Sequence, residues 1–334
     1  MSDRVKLVSS ITLVMVTSLL FLLVSTGGYK VKNSLEDEIL NSRGTADKKI
    51  ELYRTLFKQK GEHNFSCLKA VVHQVEKDFL ASKDYSPEYR YYTGDLGSEF
   101  PDSFFRKNYN LSRHHKMYFL KWAVKRGDNS TVKYLKEIIV LPGMSPVKKA
   151  LAAYALVGGG IGGKDIRKLV EDNLQFKNYQ PSSPDEPEAS FISAMAVSQY
   201  KNRMAITPLL KALESKPPAD WQTLHEDAFS ALIDLDDPGL REKLKTFAQK
   251  DLETGKFLEA SLNYGIDTPR VKELFTQMGT GTEILDPNLL LFAEFLAEKG
   301  QKRDIDMILD NLSRLHGKER LLAAHAIERI ITGM

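Results

Sequence analysis

Cysteine is almost absent from this 334-residue chain. Its single thiol, Cys67, permits no internal disulfide, so a disulfide-stapled scaffold is excluded. The spaced ligand sets of metal sites are also missing, since no HExxH, CxxC or acid-rich calcium loop occurs. Neither sign of charge prevails. The 47 Lys and Arg residues stand against 44 Asp and Glu, and the net +3 is too small to point to nucleic acid. No segment alternates apolar and polar residues with period two, which argues against a sheet. Apolar residues make up 42% and charged residues 27%, the balance of a globular chain rather than a disordered or multi-pass membrane one.

One long apolar run is present. From Leu7 to Tyr29 there is no charged side chain, and LVSSITLVMVTSLLFLLVST fills Leu7 to Thr26. Twenty helical residues at ~1.5 Å each span ~30 Å, the thickness of the hydrocarbon layer of a bilayer. Arg4 and Lys6 precede the run, and Lys30 and Lys32 follow it, so the positive flanks are nearly tied. The short N-terminal tail favours an anchor with the bulk of the chain translocated. A cleaved signal peptide remains open, with Ser25-x-Gly27 or Thr26-x-Gly28 as small-residue cleavage sites.

The remainder reads as helical. Residues 1–28 form the anchor or signal, 29–46 a polar linker, 47–112 an N-terminal helical region and 113–334 a repetitive helical region. Phe65, Leu68, Val72, Val75 and Phe79 make one apolar stripe. Residues 84–112 are broken up by Pro87, Gly94, Gly97 and Pro101. Beyond 113 the i, i+3, i+4, i+7 spacing keeps returning. It appears at Ile206, Leu209, Leu210 and Leu213, and again at Ala228, Ala231, Leu232 and Leu235. Val271, Leu274, Phe275 and Met278 repeat it, as do Leu289, Phe292, Ala293 and Leu296, and then Ile305, Ile308, Leu309 and Leu312. Helices of about three turns are unstable alone in water, so they must stack on neighbours. Thr207-Pro208, Asp237-Pro238 and Thr268-Pro269 each suggest an N-cap followed by proline at the first helical position. Their spacing of 30 and 31 residues is that of helix pairs in an α-solenoid.

Ser145-Pro-Val-Lys-Lys-Ala-Leu-Ala-Ala-Tyr-Ala-Leu-Val-Gly158 resembles the second helix of a HEAT repeat, and Lys318-Glu-Arg-Leu-Leu-Ala-Ala-His-Ala-Ile-Glu-Arg-Ile-Ile331 is similar. The resemblance covers roughly residues 113–334. It implies an all-α solenoid of HEAT-like helix pairs and a binding scaffold, and it implies no activity or cofactor.

Candidate chemical sites are few. Gly158-Gly-Gly-Ile-Gly-Gly-Lys164-Asp165 meets the letters of GxGxxG, but it follows an Ala-rich helix rather than a strand. Asp165 also stands where a P-loop needs a hydroxyl, so a helix terminator is expected. His114 and His115 are adjacent and project about 100° apart on a helix, which suits no shared metal. Asp234, Asp236 and Asp237 cluster before Pro238, as capping acids do. The Pro-rich stretch Tyr179–Pro187 reads as an exposed loop. Cys67, among Phe65, Leu68 and Val71, reads as a small core residue.

One regional bias exceeds these. Residues 101–150 carry 11 Lys and Arg against 3 Asp and Glu, interleaved with aromatics. Arg113, Lys116, Lys121, Trp122, Lys125 and Arg126 are the candidate binding residues, as a basic-aromatic region for an acidic partner or as a solvated helix face. The expected function is a non-enzymatic scaffold tethered through residues 7–26 to a membrane. It would bind a protein partner on the extracytoplasmic side, in the periplasm if the chain is bacterial, or outside the cell after signal cleavage. An extracytoplasmic enzyme acting on a cell-wall or other polymer is the alternative. No metal or cofactor is expected, and the membrane segment argues against nucleic acid.

Overall fold

A computed structural model of the chain describes residues 34–82, 113–125, 127–174, 185–278 and 286–333, without the side chain of His115 or those of residues 185–186. The apolar run at 7–26, the residues 84–112 and the side chain of Arg126 lie outside the described residues. Among the described residues the structure is all-α, with no strand and no helix long and apolar enough to cross a membrane. The chain divides into two compact units at Gln74/Val75.

The first unit holds α1 (Leu35–Asn41), α2 (Ala46–Lys60) and the start of α3 (Phe65–Leu80). Within the stretch read as a linker, Ser34 opens α1 with a capping box: its hydroxyl accepts the Asp37 N–H (3.1 Å), and the Asp37 carboxylate accepts the Ser34 N–H (3.2 Å). Ile39, Ile50, Tyr53, Leu56, Cys67, Leu68 and Val71 are buried. Burial pushes the Cys67 thiol up, as suits a small core residue.

The second unit holds α4 (Arg113–Lys125), α5 (Asn129–Val140), α6 (Pro146–Gly158), α7 (Lys164–Asp172), α8 (Asp185–Ser198) and α9 (Ile206–Glu214). It continues with α10 (Leu224–Asp234), α11 (Arg241–Lys250), α12 (Gly255–Asn263), α13 (Thr268–Gln277), α14 (Pro287–Lys299), α15 (Ile305–Leu312) and α16 (Gly317–Thr332). The even-numbered helices form a row: α4 packs on α6, α6 on α8, and so on in steps of two to α16. Each odd-numbered helix from α5 to α15 flanks an even-numbered neighbour. The apolar spacing explains the row, because the recurrent stripes are buried: Leu209, Leu213, Ala228, Leu232, Val271, Phe275, Phe292, Leu296, Ile308 and Leu312 all face the core. Each fully buried Leu or Phe contributes about 1.5–3 kcal/mol, which the short helices need.

The prolines act differently from the sequence reading at two of three positions. Asp237 does cap, accepting the Gly239 N–H (2.9 Å). The cap before Pro269 is Asp267, with Thr268 already helical, and α9 starts at Ile206 after a 3-10 turn capped by Asn202. A helix leaves its first four N–H groups without intrahelical partners, so proline fits anywhere in the first turn and does not fix the cap.

The row closes on itself around α4. Phe119, Leu120 and Val124 share one apolar cluster with Leu135 and Ile138 of α5, Ala152, Ala155 and Leu156 of α6, Ala293 of α14, and Leu321 and Leu322 of α16. Helix α6 touches α4, α5, α7 and α8, and its fully buried alanines allow that crowding. The glycine run ending α6 serves the same approach. A Cβ on Gly158 would come within 2.9 Å of Lys121 and 2.7 Å of Gln199, and one on Gly159 would overlap Val124. Gly160, at φ +84°, then terminates the helix, as expected from the sequence. Gly159→Ala is therefore expected to lower stability by about 1–3 kcal/mol in urea unfolding, and adding Val124→Ala should recover part of that loss. Recovery would separate overlap from a general loss of helix ending.

Candidate functional site

Helix α4 carries His114, Lys121 and Lys125 along one face, at the helical spacing of seven and four residues. Facing it are Asp227 and Asp234 on α10, seven apart, and Glu294 and Glu298 on α14, four apart. The result is a strip of opposite charges inside the even-numbered row.

His114 is the first link. Its Nδ1 bonds Asp227 (2.7 Å), and its Nε2 bonds Glu294. Burial works against a charged imidazole, but the two carboxylates outweigh it and hold the pKa well above 6.5, so the ring is a cation at neutral pH. Asp227 is further fixed by the Trp221 indole N–H (2.7 Å) and the Thr223 hydroxyl (3.1 Å). Lys121 is the second link, donating to Glu298 (2.7 Å), with its ammonium 5.6 Å from the centre of the Tyr154 ring. Burial pushes the Glu298 carboxyl up, but Lys121, Lys125 and Lys299 overcome it and leave the pKa at about 2. Burial lowers the Lys125 ammonium, and the neighbouring Lys121 lowers it further. Lys299 pairs with Asp234 and lies over Phe295.

Both ends of α4 are tied as well. The Arg113 N–H, an orphan donor of the first turn, donates to the Asp220 carbonyl (2.6 Å), and its guanidinium reaches Glu188 (2.5 Å) and Asp220 (2.8 Å). Towards the other end, Tyr118 bonds His325 of α16 (3.0 Å), and Arg329 lies over the Trp122 ring at 4.9 Å.

The six residues proposed from the sequence are thus placed as follows. Lys121 and Trp122 are buried; Arg113, Lys116 and Lys125 are half-buried; Arg126 lies outside the described side chains. Arg113 and Lys121 find their acidic partners within the chain. The sequence reading weighed His114 only as a metal ligand and did not single out Glu188, Asp220, Asp227, Glu294 or Glu298. The signal was present: Glu294 and Glu298 interrupt the apolar stretch LLLFAEFLAE on one face. Of the acidic trio before Pro238, Asp234 joins the strip, Asp237 caps and pairs with Arg203, and Asp236 sits exposed at φ +53°. Asp185–Pro187 of the Pro-rich stretch begin α8, and residues 179–184 lie outside the described ones.

The strip borders a cavity of about 80 Å³, partly open to solvent. Its lining includes Glu226, Ser230, Phe257, Leu291 and Gln199 besides the ion pairs. Glu226 lies in the first turn of α10, and its Oε1 accepts the Thr254 hydroxyl (3.1 Å). Burial raises its pKa, and Asp227 adds to the rise. No group of three or more His, Cys, Asp or Glu suited to a metal ion occurs among the described residues.

His114→Ala removes the cation that Asp227 and Glu294 share, and should cost roughly 3–5 kcal/mol in urea unfolding near pH 6. The imidazole contribution is complete below about pH 6.5 and is lost as pH rises towards its raised value. The stability gap between the wild type and His114→Gln should therefore narrow as pH rises above about 6.5. A gap that widens over that range would contradict a charged clasp.

No protein-family model matches this chain, and neither characterised proteins nor solved structures give a match.

Proposed function

We propose that this protein is a non-enzymatic helical-repeat scaffold, a HEAT-like α-solenoid held at a membrane by residues 7–26, that binds a protein partner on the extracytoplasmic side. The even-numbered row with flanking odd-numbered helices supports the repeat reading, since stacking of successive pairs is how short helices bury their stripes. The uncharged twenty-residue run supports the tether.

The observation that carries the non-enzymatic part is the state of the cavity beside the charged strip. His114, Lys121 and Lys299 on its wall are paired with carboxylates of the same chain, and the cavity they border holds about 80 Å³, well below the ~300 Å³ at which substrate pockets begin. Helix α4 lies against the even-numbered row, so partner contacts fall to the odd-numbered helices and the connecting turns. Val140, Leu141, Leu252 and Ile266 are large apolar side chains exposed there. The enzymatic alternative has one observation in its favour: two carboxylates of one cavity, Glu226 and Glu298, are shifted in opposite directions. The cavity volume weighs against a polymer substrate.

Capture of crosslinked partners from membranes with the full chain should yield one protein in stoichiometric amount. Val140→Glu with Leu141→Glu, or Leu252→Asp, or Ile266→Asp, should lower its recovery about 5-fold or more in at least one case, with unchanged unfolding curves. Equal recovery from all of them, or polymer cleavage abolished by Glu226→Gln, would overturn the scaffold reading. The chain should also resist alkaline extraction from membranes, and removal of residues 7–26 should release it.

A further inference from the structure

The cavity beside the charged strip contains one carboxylate that the ion pairs described above do not serve. Glu226 is only 9% exposed, and no ion pair reaches it among the described residues. One of its oxygens, Oε1, accepts from Thr254; the other, Oε2, is buried with no hydrogen-bond partner. Gln199 presents a second buried acceptor, Oε1, that also lacks a partner, and it lines the same cavity. A buried acceptor without a donor costs about 1–3 kcal/mol, and an ionised one more. Two such acceptors on one small cavity call for a ligand rich in N–H donors and positively charged.

The remaining walls narrow the choice. Phe257, Leu291 and Met195 supply apolar surface for a hydrocarbon stem. A metal ion would need a convergent set of ligands that the described residues do not provide. An anion would meet several carboxylates. The volume of about 80 Å³, near half of the roughly 150 Å³ cavity that takes benzene, admits an ammonium and its first methylenes, and the partial opening to solvent leaves the rest of an alkyl stem a way out. We infer that this cavity is a binding site for a primary ammonium group on an aliphatic stem, with Glu226 as its counter-charge and Gln199 as a second acceptor. The same chemistry is offered by a free alkylamine and by a lysine side chain of a partner. The site stands independently of the scaffold reading.

The test is titration calorimetry on the full-length chain in detergent micelles at constant pH and ionic strength. n-Butylamine should bind saturably at one site, while 1-butanol, its neutral isostere, and tetramethylammonium, which has no N–H, should not. Glu226→Gln, which retains an acceptor for Thr254, should weaken n-butylamine about 10-fold or more. Equal binding of 1-butanol or tetramethylammonium, no binding of n-butylamine, or unchanged affinity in a folded Glu226→Gln would overturn the inference. If that variant fails to fold, the comparison of the three probes on the wild type decides the matter alone. Once n-butylamine binding is established, an acetyl-Gly-Lys-Gly-amide peptide binding more tightly than n-butylamine, with loss on Nε-acetylation, would support the site and assign it to a partner lysine. Weaker binding of the peptide would support it as a free-amine site.

Discussion

The imidazolium of His114, gripped by Asp227 and Glu294, is the contact on which the second unit depends. It joins three helices that are far apart in the chain, and Lys121–Glu298 and Lys299–Asp234 extend the same pattern along them. Removing charges from water is expensive, and mutual attraction offsets that only when partners are close and the remaining lone pairs are satisfied. Here Trp221 and Thr223 satisfy Asp227. An apolar strip of the same shape would pack at least as tightly. What opposite charges add is register: α4 can slide along a greasy groove, but it cannot slide past alternating partners without leaving a buried charge alone.

Packing and charge agree at the same places. Gly158 and Gly159 let the end of α6 approach Val124 and Lys121, and the alanines of α6 admit four neighbouring helices. Without that approach Lys121 would sit farther from Tyr154 and from the α14 carboxylates. The letters of a nucleotide motif are here a spacing device, because glycine is demanded by a neighbouring side chain and by one positive φ rather than by a phosphate.

Much of the architecture was legible in the sequence. The recurrent apolar spacing located α9, α10 and α13–α15, because a stripe at i, i+3, i+4, i+7 has one way to hide from water. The cap positions were less legible, since Pro208 and Pro269 fit anywhere in a first turn. The basic bias of residues 101–150 was visible, but its direction was not: composition counts charges and does not say which face of α4 turns inward. The acids that receive His114 and Lys121 lie more than 100 residues away on helices chosen by the fold. Glu294 and Glu298 within LLLFAEFLAE were the clue, because an acid on the buried side of a largely apolar helix implies a buried cation nearby. Glu226 carried no such mark; its solitude is a property of the folded cavity.

The long loop closed by these pairs has a consequence for biosynthesis. His114 and Glu294 are separated by 180 positions, and Lys121 and Glu298 by 177. At ribosomal speeds of about 5–20 residues per second, roughly ten to forty seconds pass between the emergence of the cationic helix and that of its counter-ions. During that interval α4 can already pack on α5 and α6 and reach Asp227, but Lys121 and one side of the His114 ring wait for their carboxylates. The nascent chain is therefore an open array with a waiting strut, and only the last two even-numbered helices allow it to shut.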